Sequence, residues 1–67
     1  MTITERIKQE SRMISRPLYV FLGHDEYDRL ITEKSEELYL TPDGKIVFDL
    51  AEVIEVNKKS FFLIAGY

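Results

Sequence analysis

An α+β fold is predicted for this chain: an N-terminal amphipathic helix, then a strand, a second helix and a mainly antiparallel sheet of four to five strands. Three observations carry the prediction. Isoleucines recur at helical spacing near the N-terminus, short runs rich in aromatic and β-branched residues fill the second half, and turn signals separate those runs.

The first helix is expected over about residues 3–14. Thr2 and Glu5 have capping-box spacing. Ile3, Ile7 and Ile14 then fall on one stripe at 100° per residue, with Lys8, Arg12 and Arg16 at i, i+4 and i+8 on the opposite side. Pro17 disfavours helical geometry at Arg16, so the helix stops there or before. Leu18 to Leu22 (LYVFL) is a compact strand broken by Gly23. Asp25 is the expected N-cap of a second helix running to about Glu36, with Glu26 and Asp28 in its first turn, where the helix dipole favours negative charge. Tyr27, Leu30, Ile31 and the stem of Lys34 form one face, and Asp25, Arg29 and Glu33 make i, i+4 pairs.

Leu38 to Leu40 begins a hairpin. In Thr41-Pro42-Asp43-Gly44 proline presets φ, aspartate suits the third turn position and glycine takes positive φ. Lys45 to Leu50 (KIVFDL) is the returning strand, Glu52 to Val56 (EVIEV) the next, and Asn57-Lys58-Lys59 a polar turn. Phe61 to Ala65 closes the sheet. In Ser60 to Tyr67 (SFFLIAGY), Phe62 and Ile64 face one way, and Phe61 and Leu63 the other. A strand apolar on both faces is usually covered on both. Phe61, Phe62, Leu63, Ile64 and Tyr67 are therefore the candidate contacts with a protein partner or a second copy. One or both helices should cover one sheet face.

Sixty-seven residues make a single domain, with residues 1–16 as the basic helix and 17–67 as the strand–helix–sheet core. A domain of this size is marginal by burial alone and compensates with disulfides, metals or association. It has no cysteine, which excludes disulfides and thiolate zinc sites and fits a reducing compartment. A homo-oligomer or an obligate partner is expected in their place. No apolar run approaches the roughly 20 residues of a membrane helix, and the charged N-terminus does not read as a signal peptide. A cytoplasmic protein is expected.

Charge is uneven. Residues 1–16 hold four basic and two acidic residues, net +2, and residues 17–67 hold five basic and ten acidic, net −5. Lys8, Arg12 and Arg16 are a possible charged docking face, for nucleic acid or for an acidic protein surface, beside the simpler reading of a solvated helix side. Asp49, Glu52 and Glu55 are expected near one another on paired strands, again as a docking patch or a solvated face.

Catalytic chemistry finds few parts. The single histidine, His24, stands among Asp25, Glu26 and Asp28, but acidic residues at a helix start need only the dipole as explanation. No serine sits in a nucleophile-elbow context, and Gly23, Gly44 and Gly66 form no phosphate-binding fingerprint. So small a chain leaves little room for a ligand pocket. The expectation is a protein without enzymatic activity, metal, cofactor or small-molecule substrate.

The order Leu18–Leu22, Asp25-Glu-Tyr27-Asp-Arg-Leu30, hairpin, Val53-Ile-Glu-Val, Phe61–Tyr67 resembles a segment of tailed-bacteriophage major capsid proteins. There a strand leads into a helix opened by an acidic–aromatic pair, followed by a hairpin and two strands. Over residues 17–67 the resemblance implies a small phage or prophage protein with a related core. The expected function is a protein–protein interaction module, either a structural accessory or a modulator of a host protein. A small nucleic-acid-binding regulator using the basic helix is the alternative.

Overall fold

The computed structural model describes residues 2–66, without the side chain of Leu18. The elements follow in the order α1 (Ile3–Ser11), β1 (Pro17–Leu22), α2 (His24–Glu33), β2 (Leu38–Leu40), β3 (Ile46–Phe48), β4 (Ala51–Glu55) and β5 (Phe62–Gly66). The α+β class holds. The five strands form one sheet in the order β2-β3-β4-β1-β5, in which β1 and β4 run parallel and every other neighbouring pair is antiparallel. The parallel pair arises because α2 carries the chain back to the starting end of β1 and the successive β2–β3 and β3–β4 hairpins then reverse it twice, so β4 runs in the direction of β1.

Both helices lie on one face. Ile3 and Ile7 of α1 and Leu30 of α2 join Val20, Leu22, Phe48, Ala51 and Val53 in the core, with Tyr27, Leu38, Ile46, Phe62 and Ile64 packed around them. These strand residues alternate with outward-facing neighbours, as the pleat requires.

α1 begins with the expected capping box: the Thr2 hydroxyl accepts from the Glu5 amide, and the Glu5 carboxylate accepts from the Thr2 amide. It stops at Ser11, short of residue 14, because the chain must turn to enter β1. Met13 and Ile14 there donate to the carbonyls of Glu10 and Ser11, three residues back.

α2 starts two residues earlier than expected. Its N-cap is Gly23, not Asp25, and no side chain caps it. Backbone carbonyls do so: His24 and Asp25 donate to Lys58 and Lys59 at 2.8 and 2.9 Å. Glycine is needed here because a Cβ on Gly23 would sit 2.6 Å from the Phe61 amide nitrogen. The helix ends at Glu33 rather than Glu36, where Lys34 adopts the left-handed conformation of a C-cap.

Two acidic side chains of α2 hold the rest together. Glu26, buried, accepts from the Ser60 hydroxyl at 2.6 Å and the Phe61 amide at 3.0 Å. Glu33 accepts from the Ile3 and Thr4 amides at 2.9 and 3.0 Å and so caps α1. Glu33 therefore belongs to α1's N-terminus, where the helix dipole favours it, and not to the expected i, i+4 pair with Arg29.

The two hairpins differ. In β2–β3 the Gly44 amide donates to the Thr41 carbonyl at 3.0 Å, and Gly44 takes φ 89°. This is the three-residue loop with glycine at its left-handed position. The strand expected over 45–50 ends instead at Phe48, since Phe48 pairs with Ala51 and Asp49 and Leu50 form a two-residue turn. Both have positive φ, 48° and 72°, the type I′ pattern that matches strand twist but normally takes Asn-Gly.

Candidate interaction surface

Among the described residues, no helix or strand covers the second face of the sheet. Register lays a row across all five strands: Tyr39 opposite Val47, Val47 opposite Glu52, Glu52 opposite Tyr19, Tyr19 opposite Ala65. A second row sets Ile54 beside Phe21 and Phe21 beside Leu63. Tyr39, Leu63 and Tyr19 are 54%, 49% and 42% exposed, while Val47, Ile54, Phe21 and Ala65 are half-buried among them. The rings of Tyr19 and Phe21 stand 6.2 Å apart. Glu52 is the one charged residue in these rows, and Lys45 Nζ lies 3.8 Å from it at the rim.

This placement divides the residues that the sequence singled out. Leu63 belongs to the open face. Phe62 and Ile64 turn toward the helices, and the Arg6 guanidinium lies 4.1 Å over the Phe62 ring. Phe61 precedes β5, with its amide held by Glu26 and Lys58 5.1 Å over its ring. Tyr67 lies outside the described residues. β5 is thus covered by the protein's own helices on one side and uncovered on the other, and it is an edge strand. Sequence reasoning located one strand of the surface but missed its breadth. The signal was present in the alternation of Tyr39, Val47, Ile54, Tyr19 and Phe21 with core residues.

The charged groups are dispersed. Lys8 is ion-paired with Glu37, Arg12 is the C-cap of α1, and Arg16 lies beyond the helix, so the three do not form one helical stripe. Asp49 sits in the β3–β4 turn. Glu52 and Glu55, three apart on a strand, point to opposite faces. The expected acidic patch is therefore absent, and Glu55 meets His24 instead.

His24 Nδ1 lies 2.7 Å from Glu55 Oε2, and Nε2 lies 3.4 Å from Asn57 Oδ1. The Glu55 carboxylate, and then the Asn57 carbonyl, favour the imidazolium and hold its pKa above the usual histidine range. Glu26 shifts the other way: hydrogen bonds from the Ser60 hydroxyl and then the Phe61 amide lower its pKa. Burial raises that of Tyr27. Among the described residues, no three His, Asp or Glu side chains converge as metal ligands.

A second apolar area lies on the helix side, where α2 stops short of the β2 edge. Ile31, Leu38, Tyr39, Leu40 and Ile46 line a shallow hollow of about 240 Å³. No helix among the described residues is long and apolar enough to cross a membrane. No family model, curated protein or solved structure matches this chain.

Proposed function

We propose that this chain is a non-enzymatic protein–protein interaction domain of the cytoplasm that binds a protein partner through the open face of its sheet. One observation carries the reading. Tyr19, Phe21, Tyr39, Val47, Ile54 and Leu63 form a contiguous apolar surface interrupted by a single carboxylate. Contiguous apolar surfaces of this kind mark interaction sites, and aromatic residues, which make up half of this one, are enriched in interface cores. The phage or prophage origin implied by the resemblance belongs to the same proposal, with the domain acting as a structural accessory or as a modulator of a host protein.

The nucleic-acid alternative has less support. It needs concentrated positive charge, but Lys8 is already paired with Glu37, Arg16 is off the helix, and Glu52 occupies the middle of the open face.

The test compares wild type with Ile54→Lys and Tyr39→Lys, both confirmed folded by circular dichroism. Capture on immobilised protein from the native host, read by mass spectrometry, should yield a protein partner with wild type and lose it with both variants. Binding should persist at high salt. A wild-type protein that captures nothing and does not self-associate overturns the proposal. A salt-sensitive nucleic-acid complex would favour the alternative.

A further inference from the structure

We infer that a second copy of this chain pairs antiparallel with β5 about a two-fold axis at Ile64, joining two five-stranded sheets into one. The inference rests on the reading of the chain as a protein–protein interaction domain, and it names one partner.

The two edges of the sheet are unlike. β2 has three residues, follows Glu36 and Glu37 and runs into Pro42. Short strands, flanking charges and proline are the usual guards against edge pairing. β5 has five residues, Phe62 to Gly66, with no charge and no proline. Its open edge is a free template.

The template is self-complementary. The Gly23 amide donates to the Phe61 carbonyl at 2.9 Å, which makes Gly23 and Phe61 a hydrogen-bonded pair on the ladder between β1 and β5. Bonded and non-bonded pairs alternate along an antiparallel ladder. Leu63 and Ala65 therefore turn their backbone groups toward β1, and Phe62, Ile64 and Gly66 turn theirs outward. That outward set is symmetric about Ile64. A two-fold axis there sets Ile64 against Ile64 of the second copy and Phe62 against Gly66, so every outward N–H and C=O of both strands gains a partner.

Side-chain sizes fit the same register. Leu63 falls opposite Ala65 on the open face, large against small. On the helix side Phe62 falls opposite Gly66, where a Cβ would stand 2.1 Å from the Arg16 carbonyl oxygen, so nothing projects from that position toward the Phe62 ring. Pairing also makes the two open faces continuous, doubling the apolar surface available to any further partner. A five-residue edge buries less than the ~1,200 Å² of a standard interface, which places the dimer in the weak, concentration-dependent class.

The test is sedimentation equilibrium from micromolar protein up to about 1 mM, on wild type and on synthetic protein carrying N-methyl Ile64. That change removes one outward N–H and leaves the side chain and the β1 bonds in place. Wild type should double its apparent mass with concentration, and the N-methyl protein should remain monomeric with an unchanged circular dichroism spectrum. Hydrogen exchange on wild type gives a second readout that needs no variant: the Ile64 amide should be protected at high concentration and exchange freely at low concentration. A wild type that stays monomeric, an N-methyl protein that still dimerises, or an Ile64 amide indifferent to concentration overturns the inference. Dimerisation lost in Ile54→Lys but retained on N-methylation refutes edge pairing while preserving the open face as an interaction surface. The absence of both self-association and partner capture removes the underlying reading as well.

Discussion

Replacing Glu26 with alanine tests how this small domain holds its parts together. The carboxylate ties the start of α2 to the segment leading into β5, through the Ser60 hydroxyl at 2.6 Å and the Phe61 amide at 3.0 Å. Hydrogen bonds to a charged group contribute about 1.5–3 kcal/mol each, and truncation leaves the Phe61 N–H without its acceptor. The higher helix propensity of alanine offsets only a few tenths of a kcal/mol. A net loss of about 2.5–5.5 kcal/mol follows, against a total stability of roughly 3–10 kcal/mol for a chain of this length. Glu26→Gln should lose less, because its amide oxygen still accepts from Phe61 and its NH₂ can donate to Ser60. Urea unfolding followed by circular dichroism measures both variants, with Asp28→Ala, an exposed position on the same helix, as control. Because folding lowers the Glu26 pKa, its contribution is present above the ordinary glutamate value and is lost as pH falls through the folded value. The acid limb of the stability curve should therefore flatten in Glu26→Ala. A destabilisation no larger than that of Asp28→Ala would refute the reasoning.

Three further outcomes are expected. A Cβ at Gly44 meets no atom within 4 Å, so Gly44→Val should cost about 1–3 kcal/mol through the strain of holding a β-branched residue at φ 89°, and equal stability in urea would show the loop misread. His24, whose pKa folding raises, stabilises the protein below the ordinary histidine value, and that contribution disappears as pH rises through the folded value; Glu55→Gln should remove this dependence from thermal unfolding curves recorded across neutral pH. Changing Lys8, Arg12 and Arg16 together to Gln should cost less than about 1 kcal/mol per residue, with Lys8 the largest contributor through its Glu37 pair, and a gel shift with DNA or RNA that this change abolishes would restore the nucleic-acid reading.

Local chemistry was legible in the sequence wherever neighbours in the chain decide the structure. Thr2 with Glu5, the glycine of Thr41–Gly44 and the alternation of Phe62, Leu63 and Ile64 concern residues a few positions apart, and the structure has each of them. What could not be read depends on residues distant in sequence. Asp25 was the natural cap by residue type, yet the carbonyls of Lys58 and Lys59 occupy that role from more than thirty residues away. Glu33 looked like the partner of Arg29 and instead caps α1. The Asp49-Leu50 turn carried no glycine to announce it, and the pairing of Phe48 with Ala51 imposes positive φ on both residues. Lys8, Arg12 and Arg16 share a face only if the helix continues, and the entry into β1 ends it at Ser11.

The open face and the carboxylate ties have a common origin in size. With both helices on one side of the sheet, no element among the described residues is left to cover Tyr19, Phe21, Val47 and Ile54. Its cohesion comes instead from a one-sided core reinforced by Glu26 and Glu33, which fasten both ends of α2 to segments that would otherwise lie loosely on the sheet. The exposed residues of the open face are therefore not needed to fill the core, and polar residues could stand at Tyr19, Tyr39 and Leu63 at little cost to the fold. Aromatic and β-branched residues stand there all the same. β propensity accounts for part of that choice, since such residues suit a pleated surface. It does not account for Leu63, half exposed on an unguarded edge, where a charge would both suit solvent and prevent pairing. Stability and association should consequently separate on this surface: substitution of the exposed Tyr39 should leave unfolding nearly unchanged and abolish binding, whereas substitutions at Glu26 should lower stability and affect binding only through the fraction folded.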